Sequence, residues 1–372
     1  MTNKPDCAII LDMLNKFAFD KYDIALITDE KERLYYLGFH STAGYVIVTE
    51  DEVSFVVDNR YLKAAEKNLV RKGVKVILGS DYSALTAAAE KVGAKTVGID
   101  FTKVTLSEYE TLKKLGYAYA DISSELTAMA AIKSEEELKN IKKACEIAEK
   151  SWLAVLPFIK EGVTEKQLAA ELEYNFRKNG AGGTSFDTIV AFGKNAAVPH
   201  HETGDTKLKK NECVLMDFGC LYNGYCSDMT RTVFYGEPTE EFERAYLATL
   251  LAHRTAAENI KAGVSGKQAD GYARGVLESL GYGKYFTHSL GHGIGVNIHE
   301  FPTLSLRGET VLENGMVFSN EPGVYFNGKF GIRIEDSCYL SGGVYHSFMK
   351  DDKSLVVIKE NGEIERKKLR LK

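Results

Sequence analysis

The amino-terminal third of the chain alternates short apolar, β-branched runs with polar stretches of helical length. Five of these runs have the length of strands, at residues 24–28, 45–49, 53–57, 74–78 and 96–99. Strands that alternate with helices in this way predict an α/β domain. Asp51 and Glu52 separate the second run from the third by hairpin distance, so the sheet is predicted to be mixed and not wholly parallel.

A second domain is predicted to begin near residue 128. Ser134 and Glu137 form a capping box, which opens a long, charged, amphipathic helix. Three further helical patterns follow, from residue 164, over 239–260, and from 265 toward 280. We therefore expect an α/β domain of residues 1–127 and an α+β domain of residues 128–372.

The second domain contains an internal duplication. Residues 159–167 (IKEGVTEKQ) match residues 260–268 (IKAGVSGKQ) at an offset of 101. The same offset relates two pairs of glycines, Gly180 to Gly281 and Gly182 to Gly283. This period is too long for a solenoid repeat. The duplication predicts that the same arrangement of helices and strands occurs twice. The result is a pseudo-two-fold domain with a cleft where the halves meet.

Two aspartates are predicted to face one point on a β-hairpin. The apolar-rich segments around Asn223-Gly224 are typical of two strands joined by a two-residue turn. In that register the numbers of opposed residues add to 447, so Asp228 lies opposite Gly219. Asp217 is then its diagonal neighbour on the same face, roughly 7–8 Å away. Two carboxylates there repel unless they are protonated or bridged by a cation, and a metal ion is the simplest account.

Three more candidate ligands lie in the second half of this domain. His292 is set among glycines, where the backbone can fold closely about an ion. Glu321 ends an extended segment immediately before Pro322. The alternation that follows puts Arg333 and Glu335 on the face opposite two isoleucines. Arg333 is therefore predicted to pair with the carboxylates around it.

Four carboxylates and one imidazole suit Mn²⁺, Fe²⁺ or Co²⁺, and can take Zn²⁺. Five ligands with bridging carboxylates are too many for one ion, so two ions that share a water are expected. Each residue alone has a commoner explanation, such as an edge aspartate, a core histidine or a surface ion pair. Carboxylates within apolar strands of both halves favour metal binding, because buried unpaired charges are costly.

Composition limits the classes of function. Hydrophobic residues at 44% and charged residues at 27% are typical of soluble globular proteins. With 47 basic and 52 acidic residues the net charge is −5, which argues against nucleic-acid or membrane partners. Six scattered cysteines indicate reduced thiols. The apolar stretch at 8–14 is too short for a signal peptide or a membrane span, so a cytoplasmic protein is expected.

Several other chemistries lack their motifs. The chain has no H-E-x-x-H, no G-x-S-x-G and no P-loop sequence. The G-x-G-x-x-G dinucleotide fingerprint is incomplete, because Val296 occupies the place of its third glycine. Three cysteines on the predicted hairpin have spacings unlike those of zinc sites and are interpreted as core thiols: Cys213, Cys220 and Cys226.

At these positions the sequence resembles the pita-bread metallopeptidases, which include methionine aminopeptidase, aminopeptidase P and prolidase (Xaa-Pro dipeptidase). The resemblance covers essentially the whole chain, with a creatinase-like domain before residue 128. The five ligand positions are filled in order by Asp217, Asp228, His292, Glu321 and Glu335. The resemblance implies two divalent ions per subunit, with Mn²⁺ expected and Co²⁺, Zn²⁺ or Fe²⁺ as alternatives. It also implies a homodimer.

The resemblance further implies catalytic roles for residues around the ligand set. His200 and His299 correspond to substrate-facing histidines, and His288 to a proton relay near them. Glu321 is expected to shuttle the proton of the attacking water. His201 stands where family members often carry a small residue.

Substrate recognition is implied for three more residues. Phe186 and Ile298 match positions that line a pocket for the proline ring, and Arg333 lies behind the ligands. An X-Pro amide has no N–H, and a ring pocket replaces the recognition contact that is lost. The expected activity is hydrolysis of Xaa-Pro dipeptides through a dinuclear centre and a bridging hydroxide. The alternatives are aminopeptidase P activity on longer peptides and a metal-free peptide-binding protein.

Overall fold

The computed structural model describes residues 16–369, with the backbone alone described at Arg71. The apolar stretch at 8–14 and Cys7 therefore lie outside the described residues. The chain divides into two compact units, Met1–Ala130 and Ala131–Lys372. Within the described part, no helix is both long and apolar enough to cross a membrane.

Unit 1 is a mixed sheet with apolar layers on both faces. Its strands, in the spatial order β4-β3-β2-β1-β5-β6, are β1 Ile24–Ile27, β2 Tyr45–Val48, β3 Val53–Val57, β4 Lys75–Leu78, β5 Thr96–Ile99 and β6 Ala118–Asp121. Its helices are α1 Glu30–Leu37, α2 Leu62–Leu69, α3 Ser83–Val92, α4 Leu106–Lys113 and α5 Ser123–Ala131, with a 3-10 turn at Val70–Lys72. The last of these helices covers the predicted domain boundary and the junction of the two units.

The strand pairing in unit 1 follows the predicted pattern. β2 pairs antiparallel with β1 and β3, whereas the outer strand pairs are parallel. Residues of β1 alternate between two separate apolar clusters, Ala25 and Ile27 on one face and Ile24 and Leu26 on the other. The mixed α/β sheet and its five predicted strands are confirmed, and β6 is an addition.

Unit 2 combines long helices with several antiparallel sheets. Its helices are α6 Glu135–Val155, α7 Glu165–Lys178, α8 Glu240–Asn259 and α9 Gly266–Ser279, with 3-10 turns at Leu156–Phe158, Gly193–Ala197 and Gly283–Tyr285. Its strands are β7 Gly183–Thr184, β8 Ile189–Phe192, β9 Glu212–Phe218, β10 Cys220–Tyr222, β11 Tyr225–Cys226, β12 Met229–Tyr235, β13 Gly291–Gly293, β14 Glu300–Leu304, β15 Val317–Asn320, β16 Gly323–Phe326, β17 Phe330–Arg333, β18 Asp336–Ser341, β19 Val344–Ser347, β20 Leu355–Ile358 and β21 Ile364–Lys367.

Two five-stranded sheets carry the two halves of unit 2. One has the order β21-β20-β12-β9-β8 and the other the order β14-β13-β15-β18-β19. A large buried apolar cluster draws on both sheets and on α8 and α9, which pack against each other. The three predicted core thiols are buried, as expected.

The duplication is visible in the backbone. α7 and α9 are each 14 residues long, and each begins at a capping box. Before α7, the amide of Gly162 donates to the carbonyl of Leu208, and before α9 that of Gly263 donates to Leu312, both at 2.9 Å. The internal repeat is therefore confirmed as two structurally matching halves.

The predicted hairpin register is also confirmed. Tyr222 pairs with Tyr225 across the turn, and further along the hairpin Asp217 pairs with Thr230. Asn223 and Gly224 have φ values of 49° and 85°, the left-handed conformations that a two-residue type I′ turn requires. This turn holds both predicted aspartates in register.

Candidate active site

Every site residue predicted from the sequence lines one cavity of unit 2, with a volume of about 430 Å³. Its predicted lining residues are Phe186, His200, Asp217, Asp228, His288, His292, Ile298, His299, Glu321, Arg333 and Glu335. Asp187, Ile189, Pro199, Ser289, Gly291 and Thr303 complete the lining. Both halves of the duplication contribute, as expected for a cleft between them.

Arg333 connects the first aspartate to the last glutamate through the hydroxyl of Thr230. Its Nη2 donates to Asp217 Oδ2 at 2.5 Å, and its Nε donates to the Thr230 hydroxyl at 3.0 Å. That hydroxyl in turn donates to Glu335 Oε2 at 2.6 Å. Arg333 and Glu335 are both buried, at 3% and 1% exposure, so they do not form the surface ion pair that a single-residue interpretation favours.

A cluster of potential ligand atoms forms where the two halves meet. One ligand atom each from Asp228, His292 and Glu335 lies within 4.8 Å of the others. The imidazole Nε2 of His292 is 3.5 Å from Asp228 and 3.3 Å from Glu321. Nδ1 of His292 donates to the carbonyl of Gly293 at 3.1 Å, because a carbonyl can only accept. This tautomer leaves the Nε2 lone pair facing the carboxylates.

Burial and like charge raise the pKa of the clustered carboxyl groups. Burial raises the pKa of Asp228 well above its usual range, and the charge of Asp217 adds to the effect. Burial and the charge of Asp228 similarly raise the pKa of Glu335. For Glu321, burial raises the pKa to about 7, against the opposing charge of Arg333. Carboxyl groups that repel each other in this way are suited to share cations.

The donor set fits divalent metal ions. Hard carboxylate oxygens with one imidazole nitrogen match Mn²⁺, Fe²⁺ or Co²⁺. Oδ1 of Asp217 is buried without a hydrogen-bond partner among the described residues, which is a costly state for an oxygen that has no ligand. The glycine-rich segment around His292 forms strand β13, paired with β14, and lacks the strand-to-helix context of a dinucleotide site.

A hydrogen-bonded chain extends from Arg333 to His288. Nη1 of Arg333 donates to the Tyr325 hydroxyl at 2.7 Å, and that hydroxyl lies 2.9 Å from Nε2 of His288. Nδ1 of His288 donates to the carbonyl of Ser289 at 2.8 Å, so Nε2 accepts from Tyr325. Burial lowers the pKa of His288 to about 3, which keeps its imidazole neutral. Tyr325 was not predicted from the sequence.

The other predicted residues lie around the mouth of the cavity. His200 and His299 are both exposed to solvent there, and burial lowers the pKa of His299. The ring of His299 lies 4.2 Å from that of His292, in an edge-on arrangement. Phe186 and Ile298 are half-buried apolar side chains on the same lining.

His201 turns away from this cavity. Its Nε2 lies 3.0 Å from Oε2 of Glu165, which is completely buried, and His201 is not among the residues that line the cavity. The bulky residue at this position therefore packs toward the helix behind the loop and leaves the neighbouring substrate space open.

Sequence reasoning missed some of the lining residues and three supporting side chains, those of Thr230, Ser319 and Tyr325. Asp187 directly follows the predicted Phe186 and Thr303 lies four residues after the predicted His299, but their local sequences carry no motif. Tyr325 reaches the site only because β16 pairs with β17, where Val324 opposes Ile332. That register could be predicted from the alternation around Arg333, but the length of the connecting turn could not.

Comparisons with known proteins match both units. Residues 139–341 match metallopeptidase family M24, and residues 12–131 match the creatinase/prolidase N-terminal domain. An Xaa-Pro dipeptidase from Pyrococcus horikoshii is 35% identical over 93% of this chain and 97% of its own length. The structure of an Xaa-Pro dipeptidase from Bacillus anthracis superposes with a TM-score of 0.88 at 34% identity, covering 95% of this chain and 99% of that one. An X-Pro aminopeptidase from Thermotoga maritima gives a TM-score of 0.86 at 35% identity, over 91% and 98% of the two chains.

Proposed function

Because the chain belongs to metallopeptidase family M24, we propose that it hydrolyses the peptide bond before proline in Xaa-Pro dipeptides. Unit 2 has the pita-bread fold, and unit 1 is a creatinase/prolidase-type N-terminal domain. We assign residues 1–127 to the N-terminal domain and residues 128–372 to the catalytic domain. A homodimer in the cytoplasm is part of the same proposal.

The cavity itself supports this reaction most strongly. It brings to one space hard-oxygen donors, one imidazole nitrogen that faces them, two exposed histidines and two apolar side chains. A cluster of acidic residues with a purely structural role would require neither the two exposed histidines nor the two apolar side chains. The combination is what metal-assisted hydrolysis of a proline-containing peptide requires.

We assign metal binding to Asp217, Asp228, His292, Glu321 and Glu335. Two divalent ions held by these residues, most simply Mn²⁺, would supply a bridging hydroxide and polarise the scissile carbonyl. Arg333 and Thr230 hold Asp217 and Glu335 in place from behind. Hydrogen bonds of this kind fix the orientation of carboxylates that would bind a metal ion.

The protein's own groups carry the proton and the developing charge. Glu321 takes the proton of the attacking water and delivers it to the departing proline nitrogen. Its Oε1 accepts from the Ser319 hydroxyl at 2.9 Å, which fixes the carboxylate toward the cavity. His200 and His299, at the mouth, donate to the oxyanion of the tetrahedral intermediate. His288 completes the chain through Tyr325 that steadies Arg333.

Selectivity for proline follows from the apolar part of the lining. Phe186 and Ile298 pack against the pyrrolidine ring and exclude water around the tertiary amide. Each Å² of apolar surface that they bury contributes about 25 cal/mol to binding of the proline-containing peptide.

One observation favours a second candidate, aminopeptidase P activity on longer peptides. Among the described residues that line the cavity, Arg333 is the sole arginine or lysine. Its nitrogens already donate to Asp217, Tyr325, Thr230 and the carbonyl of Pro199. The carboxylate of a dipeptide therefore finds no unpaired guanidinium or ammonium on this lining, whereas a longer peptide has no charge there.

A peptide panel separates these functions. Chelator-treated protein is assayed with Ala-Pro, Met-Pro, Ala-Pro-Ala and Met-Ala-Ser, with Mn²⁺, Co²⁺ or Zn²⁺ restored. Metal-dependent cleavage confined to the dipeptides supports the dipeptidase, and cleavage of Ala-Pro-Ala supports aminopeptidase P. Release of methionine from Met-Ala-Ser alone contradicts selectivity for proline. If no peptide is hydrolysed with any of the metals, the proposed hydrolase activity is contradicted and a peptide-binding protein is favoured.

A further inference from the structure

The loop that carries His200 is attached to a completely buried carboxylate. Glu165 is the first residue of α7 and has no exposed surface. Its Oε1 accepts from the amide of Phe192 and from Nδ2 of Asn195, both at 2.9 Å. Its Oε2 accepts from the amide of Gly204 at 3.0 Å and from Nε2 of His201 at 3.0 Å. These donors lie on both sides of His200 in the sequence, so one carboxylate holds the two ends of the loop together.

The duplication shows that the start of the helix does not require this carboxylate. At the offset of 101, the counterpart of Glu165 is Gly266, the first residue of α9. Both helices begin at a capping box, and α9 forms it without an acidic side chain at that position. A Cβ at Gly266 would lie only 2.2 Å from the carbonyl oxygen of Thr303, so the second half has no room for one. The glutamate side chain therefore serves the loop of the first half and not the start of the helix.

The contacts of Glu165 differ from an ordinary surface pair. A buried carboxylate is costly unless its oxygens are satisfied, and here each oxygen accepts two hydrogen bonds. The adjacent pair of Lys166 and Asp205 also joins α7 to this loop, but its side chains are 57% and 81% exposed. Exposed pairs of that kind contribute little. The two pairs thus offer a matched comparison within one loop.

We propose that Glu165 and His201 are positioning residues that hold His200 at the mouth of the cavity. His201 directly follows His200 and supplies the one side-chain donor of the carboxylate on that side of the loop. Its imidazole packs behind the loop, and the backbone between the two histidines transmits the constraint. The proposal rests on the role assigned to His200 under the proposed function.

The first test measures the loop itself, without reference to activity. Hydrogen exchange of peptides covering residues 190–206 is compared in wild type, His201→Ala, His201→Gln and Lys166→Ala. We expect faster exchange at Gly204 and its neighbours in His201→Ala, recovery in His201→Gln, whose amide retains a donor, and no change in Lys166→Ala. Unchanged exchange in His201→Ala overturns the anchoring role, whatever reaction the enzyme catalyses.

The second test asks whether the effect on catalysis passes through His200. His201→Ala is made in wild type and in a His200→Ala background, and kcat and KM for the best X-Pro substrate are measured at equal metal content. Misplacing a catalytic group can cost up to about 100-fold in rate. We expect His201→Ala to lower kcat/KM about tenfold in wild type and less than about twofold in the His200→Ala background. Equal losses in both backgrounds would show a general structural effect and overturn the proposal.

The two tests also separate this proposal from the proposed function. If wild type cleaves no X-Pro peptide while His201→Ala still loosens the loop, the anchoring stands and the assigned reaction is wrong. Glu165→Gln provides a second variant, because its amide nitrogen would face N–H donors. We expect it to loosen the loop at least as much as His201→Ala, and exchange as slow as that of wild type would contradict the proposal.

Discussion

Replacing Lys133 with methionine should destabilise unit 2, because the lysine is buried against a carboxylate. Its Nζ donates to Oε1 of Glu300 at 2.5 Å, and the two side chains are 1% and 14% exposed. Methionine keeps most of the apolar length of lysine but leaves the carboxylate without its counter-charge. Glu300 directly follows His299, so the pair also fixes the loop at the mouth of the cavity.

The expected magnitude follows from the burial of the pair. Removing one partner of a buried ion pair costs about 3–5 kcal/mol. Glu300 retains some contact with water, and its other oxygen accepts from the amide of Asn297 at 3.3 Å, so we expect the lower end, about 3 kcal/mol. For a unit of this size that corresponds to a fall of about 6–12 °C in the unfolding midpoint.

The single tryptophan provides the assay. Trp152 is buried in unit 2, so its fluorescence during urea unfolding reports that unit. The matched control is Lys166→Met in the exposed pair, which should change stability by less than about 0.5 kcal/mol. The double variant Lys133→Met/Glu300→Gln should recover part of the loss, because no charge is then left unpaired. Stability of Lys133→Met within 0.5 kcal/mol of wild type, or a double variant no better than the single one, refutes the reasoning.

Three further outcomes are expected. Burial raises the pKa of Glu321 from 4.5 to about 7 in the folded, metal-free protein, so its contribution to stability is complete below about pH 4.5 and is lost as the pH rises through 7. The melting temperature of chelator-treated protein should therefore fall over that range, and Mn²⁺ should raise it most above pH 7; a flat profile contradicts the carboxylate cluster. Tyr325→Phe removes a buried hydroxyl that is hydrogen-bonded to Arg333 and His288, so the free energy of unfolding in urea should fall by about 1.5–3 kcal/mol. An unchanged unfolding midpoint would show that the hydrogen-bonded chain is not needed for stability. Asp217→Asn should lower Mn²⁺ content and reduce hydrolysis at least about 100-fold, and near-wild-type metal content and turnover would sink the ligand assignment.

The parts of the structure that were predictable depend on short-range signals. The Asn223-Gly224 turn determines the register of the hairpin, and with it the relation of Asp217 to Asp228, because a two-residue turn leaves no freedom in pairing. Capping boxes mark the first residues of α6, α7 and α9.

The parts that were missed depend on partners distant in sequence. Lys133 reads as a polar residue before a helix, and only the fold brings it to Glu300, 167 positions away. Glu165 likewise reads as an ordinary first-turn acid that favours the helix N-terminus. Its burial depends on how the loop of residues 192–204 returns over α7, and loop paths carry no periodic signal.

One missed strand has a compositional reason. β6, Ala118–Asp121, has the sequence AYAD, in which the β-branched residues that mark strands are absent. It is an edge strand that pairs with β5 alone among the described strands, and half-buried edges tolerate such residues. Tertiary pairing, and not local propensity, therefore decides this element.

The central claim, metal-dependent hydrolysis at this cavity, is tested most directly by titrating chelator-treated protein with Mn²⁺ while Ala-Pro and Ala-Pro-Ala hydrolysis and bound metal are measured together. We predict no hydrolysis without metal, two ions bound per chain, and activity that rises with their binding. Hydrolysis of X-Pro peptides that persists in excess chelator, or binding of less than one ion per chain with no hydrolysis, would contradict it.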